Sequence, residues 1–135
     1  MRTLVLAAVG AAVLVLGTMS ARSHHSAAMF DRDKVVTLTG TVQEFEYVNP
    51  HSWLYVLVAD DKGTETLWGF EAEGPSALMR AGIKKNSLMP GDKVTVQAHP
   101  LRDGRPAGAW LTVTKADGTA LIPRPGAVPA AAPAP

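Results

Sequence analysis

Residues 35–48 have the sequence VVTLTGTVQEFEYV, and their pattern of apolar residues indicates the architecture of the domain. The apolar side chains first alternate, so that Val36 and Val42 share one face of a strand. The alternation then changes phase, and the next apolar positions are Phe45 and Tyr47. One extra residue in a strand produces such a shift, because it exchanges the two faces. The stretch therefore predicts a long first strand that bends at a bulge, as a small β-barrel requires.

Four more strands and one short helix are predicted downstream, separated by turns rich in Gly, Pro and Asp. The strands are predicted at 52–59, 64–72, 93–98 and 107–114, with the helix between Gly74 and Gly82. This order is that of the oligonucleotide/oligosaccharide-binding (OB) barrel. The sequence therefore predicts a mostly β, five-stranded OB-like barrel over residues 35–122. An open β-sandwich is the alternative, because periodicity does not distinguish the two.

Residues 1–23 have the features of a cleavable signal peptide. One basic residue, Arg2, precedes an uncharged apolar run that is shorter than a membrane-spanning helix. The triplet ARS at 21–23 then offers the small side chains that signal peptidase accepts. Cleavage after the triplet would leave His24 as the amino terminus. One alternative is cleavage after Ala21, the first residue of the triplet. The other is that the segment is not cleaved and anchors the chain in the membrane. The chain is therefore predicted to be periplasmic or secreted, with no membrane span after cleavage.

The charge and the cysteine content of the chain exclude several classes of partner and site. The chain has 13 basic and 12 acidic residues; Arg2 and Arg22 would leave with the signal peptide, so the mature charge would be −1. This predicts no nucleic-acid partner. The absence of cysteine excludes disulfides, thiolate metal sites and cysteine nucleophiles. We expect residues 24–34 to form an arm that leads into the barrel, and the Pro/Ala-rich residues 123–135 to form a disordered tail.

The chain has four histidines, and all of them remain after the predicted cleavage. At the new terminus, the free amine and the imidazole of His24 could chelate one metal ion together. His25, His51 and His99 are candidates for the remaining nitrogen ligands. Nitrogen donors suit copper(II) or another divalent metal. The alternative interpretation is that these are ordinary surface histidines.

The position of the cut decides which chelate is possible. Cleavage after residue 21 or 22 would make His24 or His25, respectively, the third residue of the mature chain. The amine, two deprotonated amides and a third-position histidine form a square-planar copper or nickel chelate. Either terminus could therefore bind a divalent metal.

Aromatic residues support a different hypothesis, in which Trp53, Tyr55 and Trp68 share an exposed face that binds a glycan or a protein. Trp53 lies in a stretch that is apolar on both faces, which favours a place in the core instead.

A third hypothesis is a structural envelope protein tethered by the Pro/Ala tail. No G-x-S-x-G, H-E-x-x-H or phosphate-binding glycine loop is present. The sequence therefore predicts a non-catalytic, monomeric protein whose partner is a metal ion or an envelope protein.

Several short motifs follow one another along the predicted mature chain. They are HHS at 24–26, FD at 30–31, TGTVQEF at 39–45, NPHSW at 49–53, GP at 74–75, LMPGDKVTV at 88–96 and HP at 99–100. In these motifs the chain resembles a family of small exported bacterial proteins classed as a domain of unknown function. Ser23 stands where an alanine commonly precedes the two histidines. The resemblance implies an exported single-domain protein, and no activity or ligand set comes with it.

The predicted strand order is also similar to that of small periplasmic copper chaperones that are five-stranded barrels. Their methionine ligands have no counterpart in this chain. The similarity therefore implies the architecture and the compartment only, because a fold does not determine a function.

Overall fold

The structure is a computed structural model, and it describes residues 27–124. The predicted signal peptide, His24, His25 and the predicted tail beyond Arg124 lie outside the described residues. Within that range the chain forms a single 3-10 turn, six strands and one short α-helix. Their bounds are Ala27–Met29 for the turn, β1 Val36–Glu46, β2 Trp53–Ala59, β3 Glu65–Glu71, α1 Pro75–Arg80, β4 Lys93–Pro100, β5 Ala107–Lys115 and β6 Ala120–Leu121.

The predicted bulge in β1 is confirmed. Val42 pairs with Val56 of β2, but the next partners are Glu44 and Tyr55, so one residue of β1 is left over. This shift turns Phe45 inward, where it is 9% exposed and joins the core. Because of the bulge, one strand pairs with β2 along its second half and with β4 along its first half.

The sheet has the order β3-β2-β1-β4-β5-β6, and a parallel pairing between β3 and β5 closes it into a barrel. Closure uses Gly69 to Glu71 of β3 against Ala107 to Ala109 of β5. The predicted OB-like barrel is therefore confirmed, and the closed sheet rules out the open sandwich. The two-residue strand β6 was not predicted; it pairs with the far end of β5 through Val113 and Thr114.

The inner face of the barrel holds one apolar core. Alternation along β4 buries Val94, Val96 and Ala98, as the sequence predicts. Helix α1 covers one end of the barrel with Leu78, which is fully buried. The core is completed by residues of the other strands and of the loop after α1: Val42, Phe45, Leu54, Val56, Phe70, Ala72, Ile83, Leu88, Trp110 and Val113.

The end of the described chain lies against the barrel. The indole Nε1 of Trp110 donates a hydrogen bond to the carbonyl oxygen of Leu121 at 3.2 Å. Pro123 is buried, and Arg124 forms an ion pair with Glu73. The first residues of the predicted tail are thus in contact with the domain. Across residues 27–124, the only α-helix is far too short to cross a membrane.

Candidate functional site

A cleft of about 290 Å³ lies on the outside of the barrel, where β3 and β5 close the sheet. His99 of β4 pairs with Ala109 of β5, which pairs in turn with Glu71 of β3. Cross-strand partners share a face, so these three residues form one row across the closure. The charged and polar side chains that line the cleft are Arg32, His51, Glu71, Glu73, His99 and Arg124.

The predicted arm forms one wall of the cleft. Phe30 is 6% exposed and makes a β-bridge with Leu101. Two backbone hydrogen bonds flank this bridge, from Asp31 N to Pro100 O at 2.8 Å and from Arg102 N to Met29 O at 2.9 Å. The arm is therefore fixed across the end of β4, next to His99.

Asp31 fixes the arm further through its side chain. Its carboxylate lies 3.2 Å from Lys34 Nζ and 3.6 Å from Arg102 Nη1. The hydrogen bond from Lys34 is the main cause that lowers the pKa of Asp31, and the charges of Lys34 and Arg102 add to it. The arm is thus held by apolar burial, by backbone pairing and by this ionised carboxylate.

His51 comes from the corner between β1 and β2. Its Nδ1 donates a hydrogen bond to a carboxylate oxygen of Glu71, the last residue of β3. The side chain of His51 is 40% exposed, whereas that of Glu71 is only 9% exposed. A nearly buried carboxylate needs a partner, and the imidazole supplies it.

Backbone contacts hold this corner against the end of β3. Ser52 N donates to Glu73 O at 3.3 Å, and Ala72 N donates to Ser52 O at 2.9 Å. Ser52 itself is fully buried, and its hydroxyl donates to the carbonyl of Val48 at 3.4 Å. Ser52 is therefore part of the corner and is not an exposed nucleophile.

His99 has its ring fixed by the arm. Its Nδ1 lies 2.7 Å from the carbonyl oxygen of Lys34. Because a carbonyl oxygen only accepts hydrogen bonds, Nδ1 carries the proton and Nε2 of the neutral ring keeps its lone pair. The Glu71 carboxylate selects the same tautomer in His51. The cleft thus contains two imidazoles that each retain Nε2 as an acceptor or metal ligand.

The three aromatic residues of the alternative hypothesis do not share a face. Trp53 and Tyr55 alternate with the core residues Leu54 and Val56, so they lie on the outside of β2, where both are half-buried. The core position favoured for Trp53 is therefore wrong. Trp68 packs on the inner side, stacked on Phe70 with ring centroids 6.0 Å apart.

Sequence reasoning found both described histidines but missed their surroundings. Glu71 falls within the predicted strand 64–72, and Arg32 and Arg124 fall within the predicted arm and tail, with nothing in the sequence that links them to the histidines. No local pattern links Glu71 to His51, because the contact depends on the register of β2 against β3. The only available signal is a carboxylate that directly follows the apolar run at 67–70, at the end of the strand.

Comparison with known proteins gives a family but no characterised relative. None of the curated proteins and none of the solved structures gives a significant match to this chain. One family profile, described as a family of unknown function (DUF6152), matches residues 11–112. The match covers most of the chain, including β1 to β4, the helix and two thirds of β5. The chain therefore belongs to this family of unknown function.

Proposed function

We propose that the protein is an exported, non-catalytic binding protein that holds a divalent metal ion, copper(II) in the first place, in the cleft beside His51 and His99. One observation carries the proposal. His51 and His99 lie far apart in the sequence, yet both line the same cleft. The predicted signal peptide and the absence of cysteine support an exported protein whose metal ligands are nitrogen atoms.

The hydrogen bonds of the two rings support metal binding. Metal-ligating histidines commonly donate their second N–H to a carboxylate or a backbone carbonyl, which fixes the tautomer and the ring orientation. His51 donates to Glu71, and His99 donates to Lys34 O. Both rings thus have the second contact that a metal-binding imidazole requires.

The remaining ligands must come from elsewhere. Within residues 27–124, no group of three or more His, Asp or Glu side chains is arranged to hold a metal ion. His24, His25 and the free amine of the mature chain are the nitrogen donors that remain. His25 precedes the anchored Phe30 by five residues. An extended chain spans up to about 3.5 Å per residue, so these donors can reach the cleft.

The test uses the full chain, expressed with its signal peptide and recovered after export. Intact mass first identifies the amino-terminal residue; a chain that retains residues 1–23 would contradict the export part of the proposal. Copper(II) is then titrated against a chelator of known affinity, which removes adventitious binding. We expect His51→Ala and His99→Ala each to weaken binding by at least about tenfold, since each removes one nitrogen ligand.

Two further variants separate the cleft from the terminus. A His24→Ala/His25→Ala double variant should also lose affinity, whereas Asn86→Ala, an exposed polar residue outside the cleft, should bind as the parent protein does. Electron paramagnetic resonance of the copper(II) form should lose nitrogen hyperfine coupling in each histidine variant. Unchanged binding after replacement of both His51 and His99 would show that the cleft does not hold the metal.

A further inference from the structure

A pair of aromatic rings lies on the outside of the barrel, on the other side of Glu71 from the cleft. The rings of Trp53 and Tyr55 stand side by side along β2, with centroids 6.4 Å apart and planes inclined by only 18°. Both rings are half-buried, so one part of each contacts the sheet and another part faces outward.

Gly69 of β3 lies beneath the two rings. It pairs directly with Tyr55, and a Cβ atom at its position would lie 3.4 Å from the Tyr55 ring and 3.5 Å from the Trp53 ring, which is ordinary contact. A methyl group would therefore fit there, but a longer side chain would meet the rings. The short residue at this position thus lets both rings lie over the backbone of β3.

Two carboxylates border the rings on the β1 side. Glu44 pairs with Tyr55, and Glu46 pairs with Trp53. The hydroxyl of Tyr55 donates to Glu46 Oε2 at 3.3 Å. Among the ion pairs of residues 27–124, none involves Glu44 or Glu46, so neither carboxylate is in direct contact with a cationic side chain. Lys84 and Lys85 line a groove next to Glu44 on the side away from the rings' strand. Burial raises the pKa of Tyr55, and the negative charges of Glu46 and Glu44 raise it further.

We propose that this aromatic–acidic surface, formed by Trp53, Tyr55, Glu44 and Glu46, binds the guanidinium group of an arginine side chain on a partner protein. Guanidinium is planar, stacks on aromatic faces and donates paired hydrogen bonds to carboxylates. The compact ammonium group of lysine has neither the planar face that stacks on a ring nor the paired N–H groups that match a carboxylate. The negative charge disfavours nucleic acid at the same face.

The test measures the Trp53 indole N–H signal by two-dimensional NMR of the exported full chain, with assignment from a Trp53→Phe variant. Three blocked peptides serve as probes: Gly-Arg-Gly-Arg-Gly and its lysine and citrulline counterparts. We expect the arginine peptide to shift the Trp53 signal saturably and the lysine peptide to bind several-fold, up to about tenfold, more weakly. Citrulline has the same shape without the charge and should not bind.

Variants of the two carboxylates test whether they contribute to binding of the arginine peptide. A Glu44→Gln/Glu46→Gln double variant should lose binding of the arginine peptide by about tenfold or more. Glu65→Gln removes an exposed carboxylate elsewhere on β3 and should change little. Amide shifts of the core residues verify that each variant is folded.

Several results would overturn this inference. If the rings only cover Gly69, no peptide will shift the Trp53 signal. Equal binding of the arginine and citrulline peptides would show that the surface does not recognise the cation, and a neutral oligosaccharide that binds there while the arginine peptide does not would assign it to sugars. None of these measurements involves metal, so the outcome is independent of the copper titration.

Discussion

The imidazole of His51 and the carboxylate of Glu71 form a hydrogen-bonded pair in which the carboxylate is almost buried and the imidazole is partly exposed. His51 comes from the corner between β1 and β2, and Glu71 is the last residue of β3. Because Glu71 belongs to the strand pairing that closes the barrel, the pair links the cleft to the closure of the fold. The effect of the pair on metal binding can therefore be tested by replacing Glu71 alone.

Replacing Glu71 by Gln should lower the affinity for copper(II) by about 10- to 100-fold, because the ring of His51 loses the charged acceptor that orients it. The measurement is the same chelator-competition titration. Glu73→Gln is the matched control, since Glu73 also lines the cleft but pairs with Arg124 rather than with a histidine. An equal loss in both variants would mean that only the net charge of the cleft matters.

The contact between Gly74 and Pro50 gives a prediction on stability. A Cβ atom at Gly74 would lie 2.7 Å from the carbonyl oxygen of Pro50, which is too close for any side chain. Gly74→Ala should therefore displace the corner and reduce the free energy of unfolding by about 1–3 kcal/mol in urea denaturation. Gly69→Ala adds the same methyl group where the nearest atom is 3.4 Å away, and its unfolding should be nearly unchanged. Comparable losses at both positions would contradict the steric explanation.

Tyr47 connects β1 to the region of the helix. Its hydroxyl oxygen lies 3.0 Å from the carbonyl oxygen of Pro75, the first residue of α1, and 2.9 Å from that of Ile83, just after the helix, so its one proton is shared between the two. We expect Tyr47→Phe to lower the free energy of unfolding by about 1–2 kcal/mol, because these carbonyl oxygens lose their donor in a part-buried place. Tyr55→Phe removes a single, longer hydrogen bond of 3.3 Å to Glu46, so its effect should be smaller. The reverse order would refute this assignment.

The arm should respond to acid through Asp31. Its folded pKa lies below the ordinary value of 3.8, chiefly because Lys34 donates a hydrogen bond to it. A lowered folded pKa means that this contribution to arm docking is complete above pH 3.8 and is lost as the pH falls through the folded pKa. The backbone amide signals of Asp31 and Arg102 should therefore shift together in an acid titration followed by NMR.

An Asp31→Asn variant provides the check on this prediction. In this variant the docking of the arm to the barrel should be weaker already at neutral pH. The amide signals of the arm should then show no acid transition. Asp33→Asn removes a neighbouring carboxylate that takes part in none of the ion pairs of the arm, and should titrate like the parent chain. A transition that persists in Asp31→Asn would assign the acid response to another group.

Most of the fold could be predicted because local sequence patterns indicate the strands, the bulge and the helix of the barrel. The phase shift between Val42 and Phe45 located the bulge, and Pro75 located the beginning of the helix. Strand β6 was missed because two residues, Ala120 and Leu121, cannot display a period. Short pairings of this kind depend on the strand that they join.

The site was predictable only in part. The side of β2 on which Trp53 lies is set by the register with β1 and β3, and a strand with apolar residues on both faces leaves that side undetermined. The convergence of His51 and His99 results from barrel closure, which no local spacing encodes. Residue types could therefore be identified in advance, whereas their neighbours could not.

The parallel pairing of β3 with β5 also bears on aggregation. An open sheet presents rows of unpaired backbone groups that can recruit strands from other molecules. Here β5 is covered by β4 on one side and by β3 and β6 at opposite ends of the other side. A chain with no cysteine cannot rely on disulfide cross-links to stay folded. The closed sheet offers it a different protection, since the pairings with β3 and β6 cover part of the β5 edge that a neighbouring copy could otherwise join.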